Sequence, residues 1–423
     1  MKSTHVGFKP KGHSLKILKA NYILTCNDNF EIIENGAICF DTKIIDVGSV
    51  EEIIKKYKDA QIIETDENSL LMPGLINPHV HLEFSANRTT LQYGNFIAWL
   101  NSVIKNRDEI LNLGGEECIK IELKNMLKSG TTTLGEISSF GADLKACIES
   151  PQKVIYFNEI LGSRPDAVDV LFDDFKSKLH RSEDYRSEKF IPAISIHSAY
   201  STHPILTKNV LDIARRQNYL VSTHFMESQA ERDWLDNGTG DFVDFFDSFA
   251  PNAKPLSSAL EYIELFYDTR ALFTHCTKAK KEEIQKIKEL GGFITHCPVS
   301  NRLLNSGRLE IENIDEKLLN LGTDGLSSNI SLNLWDEMRS ALMMHFKDDL
   351  DKLSIRLLKM CTINAANALG LNTGVIEQGK DSDILAIKLP NKTDSNDLAT
   401  KLILHTKEVD KIFINGEETH DNF

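Results

Sequence analysis

Between Ser69 and Leu371 the chain alternates helical patterns with short apolar strands, and this alternation limits the fold more than any other feature. "LTKNVLDIARRQN" runs into "YLVSTHF", and "KKEEIQKIKELG" runs into "GFITHC". Parallel neighbouring strands need a crossover of a dozen or more residues, usually a helix, so repeated helix and strand patterns predict parallel β/α units. At about 300 residues such units favour an α/β chain built on a (β/α)8 TIM-like barrel, with an open doubly wound sheet as the alternative. The two ends read differently. "KILKANYILTC", "ENGAICFDTKIIDVGS" and "AQIIET" are β-rich pieces split by Asn, Asp and Gly turns, and the same character returns in "GVIEQGKDSDILAIKLP", "KLILHT" and "VDKIFINGEE". They predict a small β-sandwich domain made from both termini, residues 1–68 plus 372–423, around a barrel over residues 69–371.

Composition removes several functions. With 41% apolar residues the chain can bury a large core. A formal charge of −14 argues against nucleic acid as a partner, because neutralising phosphates takes clustered Lys and Arg. No segment has the roughly 18 apolar residues of a membrane span, and the first twenty residues lack an apolar leader core, so a cytoplasmic location with no membrane partner is expected. The seven cysteines are scattered without a CxxC and read as reduced thiols.

Within "LMPGLINPHVHLEF" stand His79 and His81, one residue apart after an apolar run. On a strand such residues point to the same face, so both rings can reach one point in space, which suggests a metal ion. Further apolar runs end in histidine: "FIPAISIHSAY" with His197, "YLVSTHFMES" with His224 and Glu227, "TRALFTHC" with His275, and "GGFITHCPVSN" with His296, Ser300 and Asn301. "LNLGTDGLSSN" closes the series with Asp324. In a barrel of parallel strands, catalytic residues sit at the C-terminal strand ends.

These stretches resemble the amidohydrolase superfamily, in its branch of purine, pterin and triazine deaminases and chlorohydrolases. The resemblance rests on "PGLINPHVH", "HFMESQAE", "THC", "HCPVSN", "GTDGLSSN" and the tail "GVIEQGKDSDILAI", and so spans nearly the whole chain. It implies that His79, His81, His224 and Asp324 bind one divalent metal; three imidazoles and a carboxylate suit Zn2+, with Fe2+ or Mn2+ also compatible. Where binuclear relatives carry a bridging lysine, "KVIYFNEILGS" offers Glu159, which favours a single metal.

The resemblance further implies hydrolytic deamination of a heterocyclic amine. Glu227 resembles the proton shuttle to a ring nitrogen, Asp324 the group that takes a proton from the attacking water, and His275 the histidine that hydrogen-bonds the nucleophile. His197 resembles a substrate-contacting histidine. "HVHLEFSANRTTLQYGNFIAWLNSVI" resembles the deaminases that convert 6-amino-6-deoxyfutalosine to futalosine and ammonia on the route to menaquinone. Methylthioadenosine, S-adenosylhomocysteine, adenosine, guanine or a triazine are the alternative substrates, and a non-catalytic scaffold is the alternative class. The expected partner is therefore a small nucleoside, and many relatives are homodimers. A benzoate on the substrate needs a cationic partner, for which Arg164 in "LGSRPD" and Arg88 in "EFSANRTT" are the candidates.

Overall fold

The computed structural model describes residues 15–86 and 89–419. Eight strands form one parallel sheet in chain order: β1 (Leu75–Val80), β2 (Thr131–Ser138), β3 (Lys153–Ile160), β4 (Phe190–Ser198), β5 (Val221–Phe225), β6 (Ala271–His275), β7 (Phe293–His296) and β8 (Leu319–Leu321). Sequential order with every neighbour parallel is barrel topology and excludes the doubly wound alternative. The seam between β8 and β1 closes just past the strands. Asp324 N–H donates to the His79 carbonyl at 3.1 Å, and Asn77 Nδ2 donates to Thr323 Oγ1 at 2.7 Å.

Beads of Val, Ile, Phe and Thr make these strands, and nearly every residue in β2 and β3 is buried because helices cover one face and the barrel interior the other. The long helical stretch Phe96–Lys128 follows β1. Asn95 caps it by accepting from Ala98 N–H at 2.9 Å, and it breaks at Gly115, whose backbone (φ 46°, ψ 171°) is not helical.

The termini build the second unit. Lys16–Leu24, Ile32–Phe40, Ile44–Ser49, Gln61–Ile63, Ser69–Pro73, Ile384–Lys388, Lys411–Ile414 and Glu417–Glu418 form one mixed sheet. Three strands separate Ile32–Phe40 from Lys411–Ile414, yet the Phe40 and Phe413 rings lie 5.4 Å apart, edge to face. The sheet therefore curls over on itself into a sandwich-like layer with these rings inside.

Two details differ from the expectation. Residues 69–73 fall within the span expected for the barrel, yet Ser69–Pro73 pairs with Ile384–Lys388 in the terminal sheet and β1 begins only after Gly74. A Cβ on Gly74 would meet the Thr132 side chain at 2.1 Å, so the crossing from sheet to barrel takes place where only glycine fits. All of "KLILHT" but its last residue belongs to the helix Leu398–His405, whose Leu398, Leu402 and Ile403 are buried, and Arg339 Nη1 donates to the Ile403 carbonyl at 2.7 Å. The alternation that suggests a strand is overridden by packing against a barrel helix. All seven cysteines are free thiols, and among the described residues no helix is long and apolar enough to cross a membrane.

Candidate active site

The C-terminal strand ends bring His79, His81, His224, Glu227, His275 and Asp324 together, all of them buried. His79 Nε2 and His224 Nε2 each lie 3.2 Å from His81 Nε2, and Asp324 Oδ1 is 3.5 Å from His81 Nε2 and 3.9 Å from His79 Nε2. Burial holds the His79 and His224 rings well below the usual imidazole range, with the neighbouring histidines adding to it, so both are neutral. The outer nitrogens show which atom faces inward. His224 Nδ1 donates to the His197 carbonyl at 2.9 Å and His79 Nδ1 meets Thr274 Oγ1 at 3.2 Å, leaving bare Nε2 lone pairs aimed at one point. Converging lone pairs repel one another unless a cation lies among them. Two nitrogens bound tetrahedrally to zinc at about 2.0–2.1 Å stand about 3.3 Å apart, close to the observed spacing. The donor set fits one divalent cation.

Asp324 is held from three sides. Ser300 and Ser328 hydroxyls donate to Oδ2 at 2.8 and 2.9 Å, and Gly325 N–H donates to Oδ1 at 2.8 Å. Burial alone would raise its pKa, but the surrounding histidines and Ser300 outweigh that and the carboxyl stays below the ordinary range. Its backbone is left-handed (φ 58°), as is that of His275 (φ 74°). Non-glycine residues rarely adopt this conformation, and here it turns both side chains into the barrel mouth.

Glu227 is the opposite case. Burial, then the charges of Asp324 and Glu231, push its carboxyl well above the ordinary range, which favours its protonated form. Its backbone is fixed by Glu231 Oε2, which accepts from Glu227 N–H at 2.9 Å, and by Thr277 Oγ1, which donates to the Glu227 carbonyl at 2.7 Å. Glu227 Oε1 lies 3.6 Å from His275 Nε2. Two carboxyls shifted in opposite directions thus flank the same point.

The pocket above is apolar on one side, where Trp99, Leu100, Val103 and Ile104 of the stretch Phe96–Lys128 face Phe140 and Leu161. His197 lines it beside His224, ring centroids 4.9 Å apart, and burial lowers its pKa to about 4. Glu159 also lines it, and forms a further group with His197 and His224 that could hold a cation. Arg164 does not line this pocket: its guanidinium pairs with Asp166 in an adjoining groove that shares the Tyr200 wall. Arg88 lies outside the described residues. An arginine that the sequence reading passed over does line the pocket. Arg107 sits above the Phe140 ring at 5.9 Å, with its Nε donating to Asp108 at 3.0 Å. Glu83 was equally silent in sequence, and accepts from the backbone N–H groups of Ser139, Phe140 and Ala142 at 2.7–3.2 Å, shaping the loop after β2.

This barrel, with its cluster of inward histidines and one aspartate, has the architecture of metal-dependent hydrolases. Residues 70–419 match the amidohydrolase family, and the chain belongs to it. An aminodeoxyfutalosine deaminase of Nitratiruptor sp. is 45% identical over 96% of this chain and 99% of its own length. An adenosine deaminase of Helicobacter pylori is 35% identical over 95% of this chain and 99% of its own. The crystal structure of a Helicobacter pylori aminofutalosine deaminase in complex with methylthio-coformycin superposes with a TM-score of 0.91, at 33% identity, covering 96% of this chain and all of that one. The chain is a hydrolytic deaminase by this kinship.

Proposed function

We propose that the chain removes ammonia from 6-amino-6-deoxyfutalosine, giving futalosine, at a single divalent metal, zinc by preference. The observation that carries this reading is the placing of Glu227, whose carboxyl is shifted up, and Asp324, whose carboxyl is shifted down, around the His79, His81 and His224 cluster, in a chain 45% identical to a protein of that name.

When bound, the metal activates water as a nucleophile near neutral pH. Asp324 accepts a proton as the water oxygen bonds to C6 of the purine, and Glu227 gives its proton to N1. Asp324 then returns the proton to the exocyclic amine. Loss of ammonia breaks the C–N bond, and the adduct's hydroxyl proton returns to Glu227, so both carboxyls end as they began. His275 hydrogen-bonds the reacting oxygen, and His197 contacts the sugar side of the substrate.

The apolar wall suits an aryl group, and Arg107 joins Arg164 and Arg88 as a candidate partner for its carboxylate, with the advantage of lining the pocket. A cytoplasmic homodimer is the expected form, and Met343 and Phe346, 68% and 77% exposed, offer it an apolar contact. Incubation of zinc-loaded protein with aminodeoxyfutalosine should release one ammonia per futalosine, with loss of activity on chelation and return on adding zinc. Absence of turnover, with adenosine deaminated well, would replace this reading with that of a general adenosine deaminase.

A further inference from the structure

His275 Nε2 is a buried polar atom without a hydrogen-bond partner, aimed between Glu227 Oε1 at 3.6 Å and Asp324 Oδ2 at 3.9 Å. Such a nitrogen can meet the attacking oxygen as an N–H donor or as a bare lone pair. Which it is depends on the partner of the other ring nitrogen.

That partner begins a chain of contacts leading away from the site. His275 Nδ1 meets the Asn301 side-chain amide at 2.9 Å, and the other arm of the amide meets His296 Nδ1 at 3.3 Å. His296 Nε2 meets His345 Nε2 at 3.2 Å, and His345 Nδ1 meets Arg308 Nη1 at 2.8 Å. Arg308 ends the chain near the surface, where it pairs with Glu312 at 2.9 Å. The three histidines and Asn301 are buried, whereas the Arg308 side chain is 35% exposed.

Proton counting along this chain has one solution. Burial lowers the proton affinity of His296 and of His345, the latter to about 4, so each ring is neutral and has a single N–H. A guanidinium only donates, so His345 Nδ1 must accept and its proton sits on Nε2. His296 Nε2 then accepts, placing the His296 proton on Nδ1. That proton needs the amide oxygen of Asn301, which leaves the amide nitrogen to donate to His275 Nδ1 and puts the His275 proton on Nε2. The amide stands with Oδ1 toward His275 and Nδ2 toward His296, and in that orientation the count fails. His296 would donate from Nε2, His345 would hold its proton on Nδ1, and two N–H groups would face each other at the Arg308 contact. Amide oxygen and nitrogen have nearly the same shape, so turning the group end for end removes the conflict without moving a neighbour.

We propose that Arg308, His345, His296 and Asn301 are positioning residues that fix His275 as its Nε2–H tautomer, so that His275 donates a hydrogen bond to the oxygen attacking the substrate. The donor then stabilises negative charge building on that oxygen, while Asp324 accepts from it on the other side. The role of the oxygen rests on the deaminase reading; the tautomer is a property of the folded chain alone.

Long-range 1H–15N correlation spectra of zinc-loaded, 15N-histidine-labelled protein report the tautomers, each ring assigned from single-histidine variants. His275 and His345 should carry their proton on Nε2 and His296 on Nδ1; a proton on Nδ1 of His275 or of His345 would overturn the proposal. Arg308→Met should mix the tautomers of His345 and His275 and lower kcat about tenfold, the worth of one hydrogen bond in the reacting state. KM should change less than twofold and metal content should stay at the wild-type level, with Arg308→Lys recovering most of kcat. Unchanged tautomers and unchanged kcat in Arg308→Met would also overturn it. Because the spectra need no substrate, the expected tautomers together with no turnover of aminodeoxyfutalosine would support the relay and count against the substrate assignment alone.

Discussion

Asp324 donates its backbone N–H to the carbonyl of His79 at 3.1 Å and places its own carboxylate 3.9 Å from the Nε2 of the same histidine. One residue thereby closes the barrel and brings its carboxylate to the histidine cluster. The contact depends on small neighbours, because a Cβ on Gly325 would lie 2.9 Å from the His81 carbonyl oxygen, a backbone atom that cannot swing aside. Gly325→Ala should therefore push Asp324 away from the histidines. We expect zinc affinity to drop at least tenfold, read by competition with a chromogenic chelator, with activity falling in parallel. Wild-type affinity in this variant would uncouple the seam from the site.

Glu227→Gln keeps the shape of the side chain and removes the proton it is proposed to transfer. Metal content should stay at one equivalent per chain while kcat falls by about 10²–10⁴-fold, the usual worth of general acid–base catalysis. Elemental analysis and steady-state kinetics on the same sample check both halves. Two equivalents of metal after full loading would point instead to a binuclear site that includes Glu159 and His197.

The stability of the chain should carry the mark of Glu231. This buried carboxyl supports Glu227 N–H through Oε2, leaves Oε1 without a partner, and is raised by burial from 4.5 to about 7. A raised carboxyl contributes stability that is complete below its unfolded pKa and is lost as pH climbs through the folded one. The loss spans pH 4.5 to 7 and is on the order of 3 kcal/mol. Glu231→Gln cannot ionise, and its amide oxygen can still accept from Glu227 N–H. Relative to wild type, its melting temperature should rise by a few degrees between pH 5 and pH 8.5. A difference independent of pH would mean that Glu231 does not titrate in this range.

The sequence reading succeeded where information is local. Each β/α unit announces its own strand and crossover, and His79, His81, His197, His224 and His275 each close an apolar run, so the barrel and the residues that gather at its mouth are legible in the sequence. The partners of individual side chains are less legible, whether they lie near or far in the chain. Arg164 follows a strand as a pocket residue would, yet Asp166 two residues on captures it. Arg107 looks like one more charge on a helix, and lines the pocket because that helix leans over the barrel mouth. His345 and Arg308 fall in no motif, and only the fold sets them in line with His296 and His275.

Among the arginines, Arg107 is expected to govern the charged end of the substrate. Arg107→Ala should cost about ten- to a hundredfold in kcat/KM for aminodeoxyfutalosine, in line with roughly 1.5–3 kcal/mol for a charge-assisted contact. Methylthioadenosine should be nearly unaffected, and Arg164→Ala should change either substrate less than threefold. Equal losses on both substrates would mean that Arg107 shapes the pocket rather than reading charge.

The most direct measurement is the ratio of kcat/KM for aminodeoxyfutalosine to that for methylthioadenosine, taken with one zinc-loaded preparation by following ammonia release. A single-metal deaminase with an apolar wall and an arginine at its far end should prefer the carboxylate-bearing nucleoside at least tenfold. A ratio of one or below would contradict the account.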